Sequence, residues 1–398
     1  MRSLDGGLLG ASMIYFDNCA TTPVDPMAAA ELARVATECF GNPSSIHSAG
    51  RCAAEVLQQA RDTLAQSLHA SSREIILTSS GTEANNFVIR SVVEHFAPYG
   101  RVHIVTSQIE HPSIYKRLEY EAQRRPGQVE VTFVGVDSFG RLRIDELRAA
   151  IREDTRLLTV IHCNNETGVL QDLHTLSALR LAFPRLLLHL DIVQSYTKFL
   201  FDVRTLPVDF LTVSGHKVYA PKGIGFVYVR EGTPVEPLIV GGAQEFYRRA
   251  GTENVPAAAA LARAVQLAPP HSELLERFRR FERLFFDALQ NEGVDFHLNG
   301  PSDYERRMPG IFNLAFERIP NKEDLLIGCD LEGLMISSTS ACHSGVVADS
   351  RVLKAMGVPE ALRRGAVRIA FNKYHTEHDV VRGAEILARC VKRIQGSA

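Results

Sequence analysis

Several short runs in the middle of the chain are apolar at consecutive positions, and this feature constrains the fold most. Residues 157–162 read LLTVIH, residues 186–191 LLLHLD and residues 225–229 GFVYV. In an extended strand successive side chains point to opposite faces, so such runs need apolar cover on both sides. That is the signature of a mostly parallel sheet with helices on each face. Residues 74–78, 102–106, 129–136 and 210–213 read as further strands, which makes seven, and the glycine-led run extends to residue 230. Residues 82–96 and 144–152 carry helical periodicity between them. The expected class is α/β.

The pattern changes after about Val255. An Ala-rich helix over 256–267 is followed by Pro269-Pro270, a long charged amphipathic helix over 272–290, sparser strands over 311–316 and 367–371, and a closing helix over 377–394. This predicts a large domain over 27–268, with residues 1–26 and 269–398 forming a smaller α+β domain. Of the 398 residues, 45% are hydrophobic and 23% charged, enough to bury a sizeable core. The formal net charge of -2 lacks the basic surplus of a nucleic-acid binder. No apolar run approaches the roughly 18 residues of a transmembrane helix, and residues 1–12 read as a frayed extension rather than a signal peptide. The 7 cysteines are odd in number and scattered, with no CxxC pair. We therefore expect no disulfide framework, no metal site and a reducing, cytoplasmic setting.

Four places carry residues suited to chemistry. Ser79-Ser80-Gly81-Thr82-Glu83 joins a strand to a helix, where free N–H groups and a glycine make an anion site, or simply a helix N-cap. Ser214-Gly215-His216-Lys217 follows a strand, at the edge where open α/β sheets bind ligands. A lysine there can form a Schiff base if its surroundings favour the neutral amine, although a solvated loop lysine is the commoner case. Asp191 ends LLLHLD, with Gln194 three residues on. A buried acid needs a cationic partner, for which a protonated pyridine nitrogen would serve, unless it caps a helix. Cys342 sits among small polar residues, SSTSACHSG, beside His343, a setting compatible with a reactive thiolate rather than a buried small hydrophobe.

The order of these motifs resembles the cysteine desulfurases and their relatives the selenocysteine lyases, pyridoxal-phosphate enzymes of the aspartate-aminotransferase fold. The resemblance runs from YFDNCATTP at Tyr15 through GNPSS at Gly41, TSSGTEANN at Thr78, Glu110-His111, NNETG at Asn164, Asp191 with Gln194, SGHK at Ser214 and RAGTEN at Arg249 to SACHS at Ser340. It implies fold type I with a seven-stranded sheet. It also implies that Lys217 holds the cofactor and moves protons, that Asp191 meets the pyridine nitrogen and that Gln194 meets the ring hydroxyl. His111 would stack on the ring, and Asn165 would lie near the ring oxygen and the substrate. Gly81, Thr82, Ser214 and His216 would cradle the phosphate. Thr252 would reach the phosphate of a neighbouring subunit in a homodimer. Arg368 would clamp the substrate carboxylate, a task suited to its planar fork of donors, and Cys342 would be the nucleophile that takes sulfur from L-cysteine and hands it to an acceptor such as an iron–sulfur scaffold or thiolation factor.

Some positions depart from the family pattern. Ile192 stands where alanine is usual and could crowd the pocket. Ala243 replaces a glycine in GGAQE, Asn372-Lys373 replace Gly-Arg, and His343 follows Cys342 as in selenocysteine lyases. These changes leave L-selenocysteine as an alternative substrate. A non-catalytic scaffold would need a broken site, yet Lys217, Asp191, His111 and Cys342 are all present.

Overall fold

The structure is a computed structural model that describes residues 13–338 and 349–397. The expected N-terminal extension, Cys342 and His343 lie outside the described residues. In chain order the elements begin with β1 (Ile14–Tyr15), α1 (Pro26–Glu38), α2 (Ser48–Ser67), β2 (Ile75–Thr78), α3 (Gly81–Phe96), β3 (Val102–Ser107), α4 (Pro112–Arg124) and β4 (Val129–Val134). There follow α5 (Ile144–Ala150), β5 (Thr155–Ile161), α6 (Leu173–Ala182), β6 (Leu187–Asp191), β7 (Phe210–Ser214), β8 (Gly225–Val229), α7 (Val255–Gln266) and α8 (His271–Asn291). The chain continues with β9 (His297–Leu298), β10 (Ile311–Ala315), α9 (Lys322–Leu331), β11 (Leu334–Met335) and β12 (Ser337–Ser338). It closes with α10 (Arg351–Ala355), α11 (Glu360–Arg364), β13 (Ala366–Ala370) and α12 (Glu377–Ser397).

Seven strands form one sheet in the order β2-β8-β7-β6-β5-β3-β4, parallel except for β8, which runs antiparallel to β2 and β7. The apolar runs behave as their composition requires. Along β5, Leu157 enters the apolar cluster beneath α3 and α4, and Leu158 enters the cluster on the other face. Ile104 and Val105 divide in the same way, as do Phe210 and Leu211. α7 packs against α1 and α2 to cover the second face. A smaller antiparallel sheet, β12-β13-β10-β9, is backed by α8 and α12 over an aromatic core. In that core Phe371 lies 5.1 Å from Phe16 and 5.5 Å from Phe312 between ring centroids. β1 pairs in parallel with β11, so the start of the chain joins this second core.

The cysteine expectation needs correcting, because Cys39 and Cys52 are joined as a disulfide. Cys39 caps the end of α1, and Cys52 lies in the first turns of α2. The intervening GNPSSIHSAG segment folds tightly back on itself. A Cβ at Gly41 would lie 2.2 Å from the Ala49 carbonyl oxygen, and one at Gly50 would lie 2.2 Å from that of Ser45. Only glycine permits this approach, and it brings together two cysteines whose spacing along the chain carries no such signal. Cys19, Cys163, Cys329 and Cys390 are free and buried. Among the described residues no helix is long and apolar enough to cross a membrane, and no His/Cys/Asp/Glu group could hold a metal ion.

Candidate active site

The C-terminal ends of the parallel strands supply most of the residues singled out above. β2 leads into Gly81 at the start of α3, β3 into His111 at the N-cap of α4, and β5 into Asn165; β6 ends at Asp191 and β7 at Ser214. This is the edge at which open α/β sheets bind ligands, because each strand end there opens into a loop or a helix N-terminus.

Gly81, Ser214 and the loop after β6 meet closely. A Cβ at Gly81 would lie 3.1 Å from Val193 Cγ2 and 3.2 Å from Ser214 Cβ. Ser80 caps α3 by accepting from Glu83 N–H at 3.1 Å, so the helix start is ordered at the cradle. Thr82 is exposed at its rim. His216 places Nδ1 3.1 Å from Thr21 Oγ1. Burial, aided by Lys217 and Lys222, pulls its pKa down to about 4, so it is neutral at pH 7.

Lys217 lies in the one-turn helix after β7. Its Nζ donates to the carbonyl oxygens of Cys19 and Ala20, the latter at 2.7 Å. Gln194 Nε2 donates to the same Cys19 carbonyl at 3.0 Å, so lysine and glutamine converge on one acceptor. Burial is the main cause that pulls the Lys217 amine down to about 8. Asp191, 3% exposed, accepts from Val193 N–H at 3.0 Å and from Asn85 Nδ2 at 2.8 Å. Glu110, buried beside His111 and hydrogen-bonded by Ser107, is raised to about 8 by burial.

The segment Tyr15 to Thr22 straps the site. It pairs with β13 through Asp17 and Ala370, offers Cys19 and Ala20 to Lys217, and offers Thr21 to His216. Its Asp17 grips Arg368, whose Nη2 lies 2.8 Å from Asp17 Oδ1 and 2.8 Å from Ser337 Oγ. Arg368 Nη1 donates to the Asn165 carbonyl at 2.9 Å, while Nε is buried with no partner among the described residues. Glu166, next in the chain after Asn165, accepts from Ser350 Oγ at 2.5 Å, and burial raises it to about 7.

Thr252 is exposed. Its neighbour Arg249 forms an ion pair with Glu83 in α3 at 2.8 Å, so the RAGTEN segment is tied to the cradle helix. Ile192 does not line the site: it is fully buried in the apolar core beside β6. Lys373 pairs with Asp25 at 2.6 Å between the rings of Tyr219 and Tyr374. Asn372 Nδ2 donates to Asn18 Oδ1 at 3.2 Å, so the Asn372-Lys373 departure meets the strap and Asp25. Sequence reasoning missed Asp17, Asn85, Ser113 and the two strap carbonyls. Asp17 and Asn85 stood inside motifs already noted, but nothing in their spacing showed which charge each would meet.

These residues fit a pyridoxal phosphate group. A lysine amine is pulled down to about 8, a buried acid ends the neighbouring strand, and the buried Gln194 Oε1 has no partner among the described residues. At the start of α3 the missing side chain of Gly81 lets Ser214 and Val193 come close to the helix N-terminus, where backbone N–H groups suit a phosphate.

Comparisons with known proteins agree with this chemistry. The family model described as Aminotransferase class-V matches residues 14–382. A cysteine desulfurase from Nostoc sp. is 37% identical over 388 residues, covering 96% of this chain and 94% of the relative. A cysteine desulfurase IscS from Dictyoglomus turgidum is 36% identical over 388 residues, covering 96% of this chain and 95% of the relative. Among solved structures, a NifS-like protein superposes with a TM-score of 0.88 at 32% identity, covering 96% of this chain and 100% of that one. SspA in complex with cysteine superposes with a TM-score of 0.80 at 30% identity, covering 91% of this chain and 100% of that one.

Proposed function

The chain belongs to the class-V aminotransferase family, and from that membership we propose that it is a cysteine desulfurase converting L-cysteine to L-alanine and passing the sulfur, as a persulfide on Cys342, to an acceptor protein. It works with pyridoxal phosphate, which when bound supplies an electron sink for bond breaking at the substrate's Cα and Cβ. The observation that carries the reading is the lowered pKa of the Lys217 amine, set at a strand end beside Asp191 and the Gly81 cradle.

In this reading Lys217 holds the cofactor through its neutral amine and later moves the substrate's α-proton. Asp191 keeps the pyridine nitrogen protonated, Gln194 meets the ring hydroxyl and His111 lies against the ring. Gly81, Thr82, Ser214 and His216 hold the phosphate, joined by Thr252 of the neighbouring subunit. Arg368, oriented by Asp17, takes the substrate carboxylate with Asn165. The Cys342 thiolate attacks the substrate sulfur. An S–S bond forms, the electron pair of the Cβ–S bond stays with carbon, and protonation there completes alanine.

A homodimer is supported by the apolar side chains that one chain leaves in water. Ile46 is 90% exposed, Val240 81%, Tyr247 77% and Phe40 75%, and Val240 and Tyr247 lie within 12 residues of Thr252 in the sequence. The reading groups residues 27–268 as the cofactor-binding unit and residues 1–26 with 269–398 as the unit that carries Cys342. The shared core of Phe16, Phe285 and Val367 supports that grouping. In the same reading the setting is cytoplasmic, a point to which the Cys39–Cys52 disulfide lends no support.

The test is alanine release from L-cysteine and from L-selenocysteine, side by side, with and without a thiol reductant. Turnover of cysteine that rises with reductant and is lost in C342A is expected. Turnover confined to selenocysteine would make the enzyme a selenocysteine lyase, and alanine from neither would overturn the proposal.

A further inference from the structure

Hydrogen atoms around His111 can be counted one by one. Asn85, 1% exposed in α3, donates through Nδ2 to Asp191 Oδ2 at 2.8 Å and to Ser113 Oγ at 2.8 Å. Both hydrogens of the amide are thereby used. Reversing the amide would set its oxygen against a carboxylate oxygen, so charge decides its orientation. Ser113 Oγ therefore already accepts, and its own hydrogen goes to its other neighbour, His111 Nδ1, at 2.8 Å. The same Nδ1 accepts from the Ser113 backbone N–H at 3.2 Å, the N-cap bond of α4. A ring nitrogen that accepts twice carries no proton. A proton on Nδ1 would point N–H at N–H and leave the serine hydrogen without a partner.

We infer that Asn85 and Ser113 are positioning residues that hold His111 as the neutral tautomer protonated at Nε2, so that Nε2–H is the group His111 presents to the site. The order runs from charge to ring: Asp191 orients Asn85, Asn85 orients Ser113, and Ser113 orients His111. The charged groups that act on the imidazole are Asp191, ending β6, and Lys217, following β7; Glu110 on its own turn is buried and raised to about 8. Burial is the largest cause that lowers the His111 pKa, with Asp191 opposing and Lys217 assisting. The inference deepens the reading above, in which His111 lies against the ring, by naming the proton it offers there.

The experiment is a long-range proton–nitrogen NMR correlation on the full-length protein with 15N-labelled histidine. It is recorded across a pH series, first without cofactor and then after loading with pyridoxal phosphate. The His111 signals are identified by their absence in H111Q. The wild type is expected to show the Nε2–H tautomer. S113A removes one donor to Nδ1, so the Nδ1–H fraction should rise about five-fold and the titration should move upward. S113T keeps the hydroxyl and should restore the wild-type signal. N85A frees the serine hydroxyl to turn, shifts the ratio in the same direction, and carries the test if S113A fails to fold. Protonation at Nδ1 in the wild type would overturn the inference, as would an unchanged ratio and titration in S113A or, where it stands in, N85A. No turnover enters the cofactor-free reading, so a chain inactive on cysteine would count against the proposed function and leave this result standing.

Discussion

The Lys217 amine, held by two backbone carbonyls, is moved by burial from its ordinary 10.5 to about 8. Below that pH it is mostly an ammonium, which cannot attack a carbonyl carbon; above it the free amine dominates. Capture of added pyridoxal phosphate by the cofactor-free protein should therefore speed up as pH rises through about 8 and level off above it. Stopped-flow absorbance would show this, and a rate that keeps climbing beyond pH 10 would mean that burial does not set the amine. In K217A the absorbance of the added cofactor should not change with time at any pH, because no amine at that position forms the Schiff base. The lysine itself was legible from its place after a strand. Its partners were not, because Cys19 lies 198 positions away in the chain and offers a backbone oxygen, which every residue has. Ser113 was unreadable for a similar reason: a serine at the second position of a helix is ordinary, and only the ring packed against it gives it a task.

Within the large sheet, buried histidines sit between threonines of neighbouring strands. His189 in β6 lies 2.8 Å from Thr159 in β5 through Nδ1 and 3.0 Å from Thr212 in β7 through Nε2. His103 in β3 lies 2.8 Å from Thr155 in β5 and 2.9 Å from Thr132 in β4. Burial pushes His189 down to about 3 in the folded chain, against an ordinary 6.5. Between these values the unfolded chain binds the proton and the folded chain does not. The contribution of His189 is thus complete above about 6.5 and is lost as pH falls toward 3. H189Q should flatten the acid side of a plot of urea midpoint against pH. Glu110 works in the other direction: its folded value of about 8, against 4.5, gives stability that is full below 4.5 and lost as pH rises toward 8. E110Q should gain on the wild type between pH 5 and 8, and an unchanged difference across that range would remove this account. The strands were legible because both faces are apolar, and the long helices because one stripe is. The disulfide was not, since the contact of Cys39 with Cys52 depends on how two glycines let a loop close.

At the scale of the whole molecule, Thr252 is exposed in the single chain, as are the apolar side chains of Val240 and Tyr247. Two complementary variants test whether a second copy completes the site. K217A and T252V should each bind cofactor poorly. After subunit exchange, a mixed dimer should contain one site with both native residues and recover bound cofactor, and light scattering should give twice the mass of one chain. No recovery on mixing would place Thr252 outside the neighbouring site. The sequence by itself determined the layered α/β class, the seven strands and the motifs that the site is built from. Periodicity and strand-end position are local properties, and a chain carries them in its order of residues. The tertiary structure alone decided which charge meets which group: Asp17 on Arg368, the strap carbonyls on Lys217, Asn85 between Asp191 and Ser113, and Cys39 on Cys52. Each of those pairings joins separate elements of the fold, and what selects it is burial, which makes an unpaired polar group costly and leaves the partner to be found wherever packing brings one.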